Sequence, residues 1–376
     1  MPFAFDWKQH RGANANSTTS KSENKMATLY LIEQNTILRK TSNRLRLCRM
    51  QSPENRKSGV RQSEILLEIP CADIDQVMLF GNVQVTTQAV QELLQHGIEL
   101  AIFTFSGKLL GQITPPKTKN IILRIDQFKR CQDSQFCIDL AKQFVVRKID
   151  AMLSVLKAHQ SNYPDAFCSD ELSQLVNLAK QATNADNSSS LLGFEGTATS
   201  HYFKLFGTML KHPWEFNGRN RRPPKDPVNA VLSFGYVLVG AEIQSLLDGV
   251  GFDPYLGFYH RLRYGRPSLA LDLLEEFRHT LVDRLALNLF NLGILKEEDF
   301  DRLPNSGVYL GTSGKKKFFV HYERMMGTYQ SEIDSNDKKK GFRMIFQQRI
   351  AELAKQIYFE PSTISRTEMT EEDFDI

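Results

Sequence analysis

Cysteine is scarce in this chain. The 376 residues include five cysteines, an odd number, and no two of them are spaced as CxxC. Disulfide frameworks and structural zinc sites both draw on cysteines paired at short spacings. The sequence therefore argues against both features, and it makes a reducing cytoplasm the expected compartment.

The chain also lacks the short motifs that mark several large enzyme classes. It contains no GxxxxGK[ST] phosphate loop, no GxGxxG after a strand, no HExxH and no GxSxG. These absences disfavour a nucleotide-hydrolysing motor, a dinucleotide dehydrogenase of the usual type and a serine hydrolase.

Long hydrophobic runs are missing as well. The longest mainly apolar stretch, Ala230 to Ala241, is interrupted by Ser233 and followed by Glu242. It is shorter than a membrane-spanning helix requires, and it predicts a buried helix. Residues 1–25 are polar, carry charges throughout and have no apolar segment of the signal-peptide kind, so we expect a disordered leader there.

The net charge of +4 is unevenly distributed along the chain. From Pro361 onward there are five acids and one base, which gives this tail −4 and the other 360 residues +8. A mildly basic body is compatible with nucleic-acid binding but does not require it. We expect residues 361–376 to form an acidic, disordered tail.

The hydrophobic pattern divides the rest of the chain into two parts. Between residues 26 and 116 apolar residues alternate with period two, which predicts a β-rich domain with one short helix capped by Thr86 or Thr87. Residues 117–360 show mostly helical spacing and predict a larger all-α domain, with the boundary at Pro115-Pro116. The predicted fold class is therefore α+β.

Individual elements of the helical part follow from the same spacing. The segment from Val308 to Tyr322 is the part of this region that we do not predict to be helical. There we expect a hairpin around Lys315–Lys317 that leaves the lysines in solvent. The main helices are predicted at approximately 169–183, 195–209, 227–248, 268–291 and 342–358.

Glu195 is the first candidate for chemistry. It lies in the sequence Gly193-Phe194-Glu195-Gly196, at the start of the helix predicted over 195–209. An acid in a first helical turn interacts favourably with the helix dipole without any further function. Position alone therefore favours a structural role for Glu195.

The predicted helix 268–291 has an apolar stripe and, opposite to it, a face rich in acids. Periodicity alone favours a solvated acidic face. The alternative is a divalent-metal site built from two of these carboxylates, the nearby His260 and a carboxylate from another helix, because oxygen ligands with one imidazole suit Mg²⁺ or Mn²⁺. The polar residues of this face are Asp272, Glu275, Glu276, His279 and Asp283.

The segment from Lys211 to Pro227 combines basic and aromatic residues. Such a combination fits neutralisation of a nucleic-acid backbone with stacking on aromatic rings, and it equally fits a solvated loop whose rings pack into the core. Composition does not decide between these two interpretations. The residues concerned are Lys211, Trp214, Phe216, Arg219, Arg221, Arg222 and Lys225.

Three segments, in this order and spacing, resemble one known family, the CRISPR-associated integrases that insert new spacers into CRISPR arrays. They are LLGFEGTATSHYFKLF (191–206), NGRNRRPPKDPVNAVLSFGYVL (217–238) and GFDPYLGFYHRLRYGRPSLALDLLEEFRHTLVD (251–283). The resemblance extends over about residues 27 to 358. It implies an N-terminal β domain, a helical catalytic domain and a homodimer.

The resemblance also implies roles for individual residues. Glu195, His260 and Glu275 correspond to three metal ligands, although some members carry Asp where this chain has Glu275. Asp272 corresponds to an acid that supports the site or serves as an alternate ligand, and His260 is either a ligand or a proton carrier. The expected DNA contacts are Arg219, Arg221, Arg222, Lys225, Arg261 and Arg266.

The implied activity is that of a DNA endonuclease and strand transferase that uses Mg²⁺ or Mn²⁺. A 3′-hydroxyl of the incoming DNA would attack a phosphodiester of the CRISPR repeat. The implied partners are double-stranded DNA and a small CRISPR protein of ferredoxin-like fold, with no membrane. Two alternatives remain at this point: a non-catalytic DNA-binding scaffold of an adaptation complex, and an unrelated metal hydrolase of small phosphoesters.

Overall fold

The computed structural model describes residues 27–49, 64–116, 120–167, 169–211, 213–220, 223–260, 263–303, 307–327 and 341–359. The predicted leader and acidic tail lie outside these residues. So do three of the expected DNA contacts, Arg221, Arg222 and Arg261.

The β-rich part contains two four-stranded sheets. In the first, of order β1-β5-β7-β8, strand β8 alone runs antiparallel to its neighbour, whereas in the second, of order β4-β3-β2-β6, only the β2–β6 pair is parallel. The strands are β1 (Ala27–Leu31), β2 (Thr36–Thr41), β3 (Arg44–Arg49), β4 (Ile65–Pro70), β5 (Ile74–Phe80), β6 (Val83–Val85), β7 (Glu99–Phe103) and β8 (Leu109–Ile113).

Helix α1 (Thr87–Gln95) connects β6 to β7. The Thr86 hydroxyl accepts a hydrogen bond from the backbone N–H of Ala89 at 3.3 Å, which caps the helix as the sequence predicted. A 3₁₀ turn, Cys71–Asp73, precedes β5.

The first sheet lies between two cores because its side chains alternate. Leu29 of β1 and Leu79 of β5 pack with the second sheet and α1, whereas Tyr30 and Phe80 join the core of the helical part. Successive side chains of a strand point to opposite faces, so each strand contributes to both cores. The β-rich part thus packs directly against the helices.

Nine helices follow within the described residues. Helix α3 packs along α4, α5 and α7, and a π-helical turn, Arg278–Asp283, joins α7 to α8. The helices are α2 (Ile121–Gln132), α3 (Ser134–Asn162), α4 (Ser169–Thr183), α5 (Ser188–Thr208), α6 (Pro227–Val250), α7 (Ser268–Phe277), α8 (Arg284–Asn291), α9 (Thr312–Gly327) and α10 (Phe342–Ile357).

A β-rich region followed by helices confirms the predicted α+β class. A short ribbon, β9 (Phe300–Arg302) antiparallel to β10 (Val308–Leu310), follows a 3₁₀ turn at Glu297–Asp299. The domain boundary at Pro115-Pro116 stays a prediction.

Helix α6 is longer than the apolar stretch that predicted it. It has 24 residues, and an 18-residue segment of it has a mean hydropathy of 1.6, so by length and composition the helix could cross a membrane. However, 67% of that segment is buried inside the protein. The prediction of a buried helix is confirmed, and the observed helix ends two residues beyond the predicted 227–248. Asp226 caps the helix through the backbone N–H of Asn229, and Pro227 occupies the first turn.

The hairpin predicted around Lys315–Lys317 is wrong. These residues lie in α9, because Phe318, Phe319 and Tyr322 recur at helical spacing and are all buried. Lys315 is buried rather than solvated: its Nζ donates to the Leu310 carbonyl at 2.6 Å and lies 3.4 Å from the centre of the Phe105 ring.

Candidate active site

Glu195 lies two turns inside α5, not at its first turn. The helix begins at Ser188, where the Asn187 side chain accepts a hydrogen bond from the backbone N–H of Ser190 at 2.9 Å. The helix dipole acts mainly on the terminal turns, so it does not account for an acid at this position. Expecting the helix to begin at residue 195 was wrong because the Asn187 cap lies upstream.

The acidic face of α7 is buried, which corrects the expectation of a solvated face. The side chains of Asp272, Glu275 and Glu276 are at most 7% exposed. Helix α7 is enclosed by α3 and α6, so its polar face packs against other helices instead of water. Buried carboxylates need charged or hydrogen-bonding partners, and each of these three has its own.

Asp272 organises the loop that carries His260. Its carboxylate accepts hydrogen bonds from the backbone N–H groups of Phe258, Tyr259 and His260 at 2.7, 3.0 and 2.9 Å. It also lies 2.7 Å from Nδ1 of His260. These contacts describe a supporting residue that fixes the orientation of the imidazole.

Gly257 makes this close packing possible. A Cβ at this position would lie 2.7 Å from the backbone of Ser268 and 2.8 Å from Oδ2 of Asp272. Real Cβ atoms do not approach so closely, so only glycine allows the loop to sit on the N-terminus of α7.

Two of the three predicted ligands, Glu195 and Glu275, meet at the side chain of Lys148, and the third, His260, lies beside Glu275. The Lys148 ammonium pairs with Oε1 of Glu195 and lies 2.7 Å from Oε2 of Glu275. Nε2 of His260 lies 4.0 Å from Oε1 of Glu275. Residues from α5 and α7 therefore meet on one buried cation from α3, and the loop before α7 places His260 next to Glu275.

Glu275 is ionised in this environment. Burial alone would raise the pKa of its carboxyl group, but the charges of Arg278 and Lys148 lower it to about 2. Nη2 of Arg278 lies 2.6 Å from Oε1 of Glu275. Glu275 therefore presents a full negative charge at any pH at which the protein would be assayed.

Glu276, which the helical pattern could not distinguish from Glu275, belongs to a different cluster. Both of its carboxylate oxygens accept hydrogen bonds from Nε of Arg349 in α10, at 3.1 and 2.9 Å, and Arg147 lies 3.6 Å away. Glu276 thus holds α7 against α10 and α3.

His279 and Asp283 also lie outside the site. Asp283 is fully buried and is bound by the hydroxyls of Tyr202 at 2.9 Å and Tyr236 at 2.5 Å, and by Nδ1 of His279 at 2.7 Å. Burial lowers the pKa of His279, which keeps the imidazole neutral, although Asp283 opposes this effect. The network fixes the π-helical turn from which Arg278 reaches Glu275, and such turns are frequent at functional sites.

The aromatic residues of the basic segment are half-buried and pack against the core, which favours the interpretation of a loop whose rings pack inward. The ring of Trp214 lies 4.7 Å from that of Phe290, and Phe216 lies 5.3 Å from Phe206. The Arg219 side chain donates to that of Asn229 in α6. Among the other expected DNA contacts, Lys225 is exposed and Arg266 is half-buried, and their role stays a prediction.

Sequence reasoning missed Lys148, Arg278 and Arg349. A signal for Lys148 was present, because it occupies a core-facing position of α3, one helical turn from the apolar residues Phe144 and Met152. A charged residue at such a position needs buried partners of opposite charge.

Within the described residues, the three potential metal ligands whose atoms all lie close together are in the β-rich part and not around Lys148. Ligand atoms of Cys71, Glu92 and His96 lie within 4.8 Å of one another, and Glu92 pairs with Lys40. This group involves a single cysteine, which is why cysteine spacing gave no indication of it.

The residues around Lys148 have the donor chemistry that a divalent cation requires. Two carboxylates meet there and one imidazole lies beside Glu275. Within the described residues, Oε2 of Glu275 is buried and accepts no hydrogen bond, although it faces the ammonium. Oxygen-rich sets with one nitrogen suit Mg²⁺ or Mn²⁺. The site also already accommodates one positive charge, so Glu195, His260 and Glu275 fit such an ion.

Comparison with known sequences supports one family. The model of the family described as CRISPR associated protein Cas1 matches residues 29–324. A CRISPR-associated endonuclease Cas1 of Rhodospirillum rubrum is 36% identical over 259 residues, which cover 66% of this chain and 74% of that protein. A Cas4 exonuclease/Cas1 endonuclease fusion of Geobacter sulfurreducens is 36% identical over 267 residues, 69% of this chain but only 48% of the fusion.

Solved structures agree with the sequence comparison. A Cas1 protein from Thermotoga maritima has a TM-score of 0.71 at 26% identity, covering 88% of this chain and 97% of that one. A Cas6-RT-Cas1–Cas2 complex gives 0.70 at 27% identity, covering 91% of this chain and 36% of that one. A casposase bound to integration product shares the fold, with a TM-score of 0.76 at 23% identity over 88% and 90% of the two chains. The chain belongs to the Cas1 family of CRISPR-associated proteins.

Proposed function

We propose that this protein is a metal-dependent DNA endonuclease and integrase that inserts spacer DNA into a CRISPR array. The observation that carries the proposal is that Glu195 and Glu275, which are 80 residues apart in sequence, meet at one buried cation with His260 beside Glu275. The names of the curated relatives, which are Cas1 endonucleases, support the same activity.

The proposed reaction is a transesterification. A 3′-oxygen of the incoming strand attacks a phosphorus atom of the repeat while the bond to the departing 3′-oxygen breaks, which releases a new 3′-hydroxyl. One phosphodiester forms and one is lost, so the step needs no ATP, in keeping with the missing phosphate loop. A bound Mg²⁺ or Mn²⁺ supplies Lewis-acid stabilisation and favours deprotonation of the attacking hydroxyl.

The protein's own residues hold and orient the reacting groups. Glu195, Glu275 and Nε2 of His260 would bind the metal ion. Nδ1–H of His260 would donate a hydrogen bond to Asp272, which leaves the lone pair of Nε2 directed away from Asp272, toward Glu275. In this proposal His260 is a metal ligand and Asp272 is its support rather than an alternate ligand.

The proposal includes the assembly in which the enzyme works. We propose a homodimer in the cytoplasm that binds prespacer and repeat DNA, together with a Cas2 protein of ferredoxin-like fold. The solved complex whose name includes both Cas1 and Cas2 supports this partner. Lys225 and Arg266 remain the described candidates for phosphate contacts.

The test is a strand-transfer assay in which a prespacer joins a repeat-containing plasmid. We expect joining with Mg²⁺ or Mn²⁺, none with EDTA, and none from folded Glu195→Ala, His260→Ala or Glu275→Ala variants. Glu298→Ala, in an exposed turn, is the matched control and should join DNA at the wild-type rate.

The alternatives give different results in the same experiments. Wild-type joining by all three variants would rule out the proposed site. DNA binding that survives EDTA and falls steeply with salt, with no product under any metal, would indicate a scaffold. Hydrolysis of a chromogenic phosphodiester without DNA affinity would indicate a hydrolase of small phosphoesters.

A further inference from the structure

Lys148 is a charged residue in the core of α3. Its side chain is 3% exposed, and Phe144 and Met152, one turn before and after it, are fully buried. A buried ammonium is stable only with charged or hydrogen-bonding partners. Glu195 and Glu275 are those partners.

The ammonium contacts the carboxylates that we propose as metal ligands. Lys148 and Arg278 supply two positive charges against the three carboxylates of Glu195, Glu275 and Asp272, which leaves the metal-free site with about one net negative charge. A divalent ion bound by the same two glutamates would lie close to the ammonium, and the two cations would repel each other strongly in a buried site. The ammonium and the metal ion therefore compete for the same carboxylates.

We propose that Lys148 is a built-in counter-ion that a divalent cation must displace, and that a DNA phosphate offers the displaced ammonium its new partner. The inference rests on the proposed function, because it assumes that Glu195 and Glu275 bind the metal. If the ammonium competes with the metal in this way, metal binding is weak without DNA and stronger with DNA. By linkage, the metal then strengthens DNA binding by the same factor.

A purely structural role for Lys148 predicts the opposite change. If the ammonium only held Glu195 and Glu275 at the correct separation, its removal would disorder the ligands and weaken metal binding. If it competes with the metal, its removal strengthens metal binding. The sign of the change in affinity therefore distinguishes the two roles without any activity measurement.

The experiment is a titration of the full chain with Mn²⁺, followed by the loss of the free-ion electron paramagnetic resonance signal. Without DNA, we expect Lys148→Gln to bind Mn²⁺ at least about tenfold more tightly than wild type, equivalent to about 1.4 kcal/mol. A duplex with 3′-deoxy ends, which cannot react, should tighten Mn²⁺ binding to wild type but change that of Lys148→Gln little. Lys157→Gln, the same change at an exposed position of α3, is the matched control and should behave like wild type.

Folding is followed in parallel, because the variant leaves two buried acids without their cation. We expect Lys148→Gln to melt at a lower temperature than wild type without metal and to gain more from Mn²⁺. If it is unfolded without metal, Mn²⁺ should restore the fold, and failure to do so would overturn the inference. Unchanged or weaker Mn²⁺ binding by the folded variant would overturn it as well.

Glu195→Gln separates this inference from the proposed function. Mn²⁺ binding that is lost in Glu195→Gln but not tightened in Lys148→Gln refutes only the role of Lys148. Mn²⁺ binding that is unaffected by Glu195→Gln refutes the proposed metal site itself.

Discussion

Glu275 and Glu276 offer a sharp test, because they are adjacent in α7 yet face different partners. Glu275 lies beside Lys148, Arg278 and His260, whereas Glu276 binds Arg349. Replacing each in turn by Gln removes one negative charge and almost no volume. We expect both variants to lose similar stability and only Glu275→Gln to lose strand transfer.

The stability costs follow from the contacts of each carboxylate. Lowering the pKa of Glu275 from 4.5 to about 2 corresponds to about 3 kcal/mol of stabilisation of the ionised form. That stabilisation is fully present above pH 4.5 and is lost only as the pH falls through about 2. Breaking the buried pair of Glu276 with Arg349 costs at most roughly 3–5 kcal/mol, since Gln keeps one acceptor for the guanidinium.

The effects on activity should differ by orders of magnitude. A metal ligand contributes several kcal/mol of transition-state stabilisation, so Glu275→Gln should slow strand transfer roughly a thousandfold per folded molecule. Glu276→Gln should stay within about threefold of wild type, since Glu276 makes no contact with the site. Urea denaturation measures the stability, and a gel assay of prespacer joining measures the rate.

Two results would refute this reasoning. The first is strand transfer by folded Glu275→Gln at a rate near wild type. The second is an equally large loss of activity in folded Glu276→Gln, which would mean that the two glutamates act as one unit.

Three further predictions concern residues around and away from the site. Asp272→Asn should keep the fold but weaken Mn²⁺ binding about 10–100-fold, because His260 loses its carboxylate partner. A titration with Mn²⁺ measures the affinity, and an unchanged affinity would contradict the prediction. Gly257→Ala should lower the free energy of unfolding by about 1–3 kcal/mol and displace His260, since the alanine Cβ would meet the backbone of Ser268. A wild-type melting temperature together with wild-type activity would count against this prediction. Burial lowers the pKa of Lys315 to about 8, so between pH 8 and 10.5 the unfolded chain binds a proton that the folded chain does not. The unfolding free energy should therefore rise with pH over this range, by up to about 3 kcal/mol relative to Lys315→Met. Parallel pH profiles of the two proteins would refute this prediction.

Much of the fold could be predicted from local patterns. Helix α4 has the predicted bounds, Thr86 caps α1 as expected, and α10 lies within one residue of its prediction. These features depend on periodicity and capping residues, which act over a few positions.

The candidate site could be predicted only in part, because one helix does not reveal what covers it. The periodicity of residues 268–291 showed which acids share a face, but not that α3 and α6 enclose the helix or that Arg349 of α10 reaches Glu276. Lys148 and Arg349, which separate the roles of Glu275 and Glu276, lie more than 70 residues away in sequence. The resemblance to a family supplied the choice of Glu275, and the packing of the helices supplies its physical reason.

The central claim is that Glu195, His260 and Glu275 bind one divalent cation. The most direct measurement is the anomalous scattering of Mn²⁺ in crystals of the full chain grown with that ion at a concentration that supports strand transfer. We expect a peak within coordination distance of these three side chains, with the Lys148 ammonium moved away from Glu195 and Glu275. Mn²⁺ bound only elsewhere, for example at Cys71, Glu92 and His96, would contradict it.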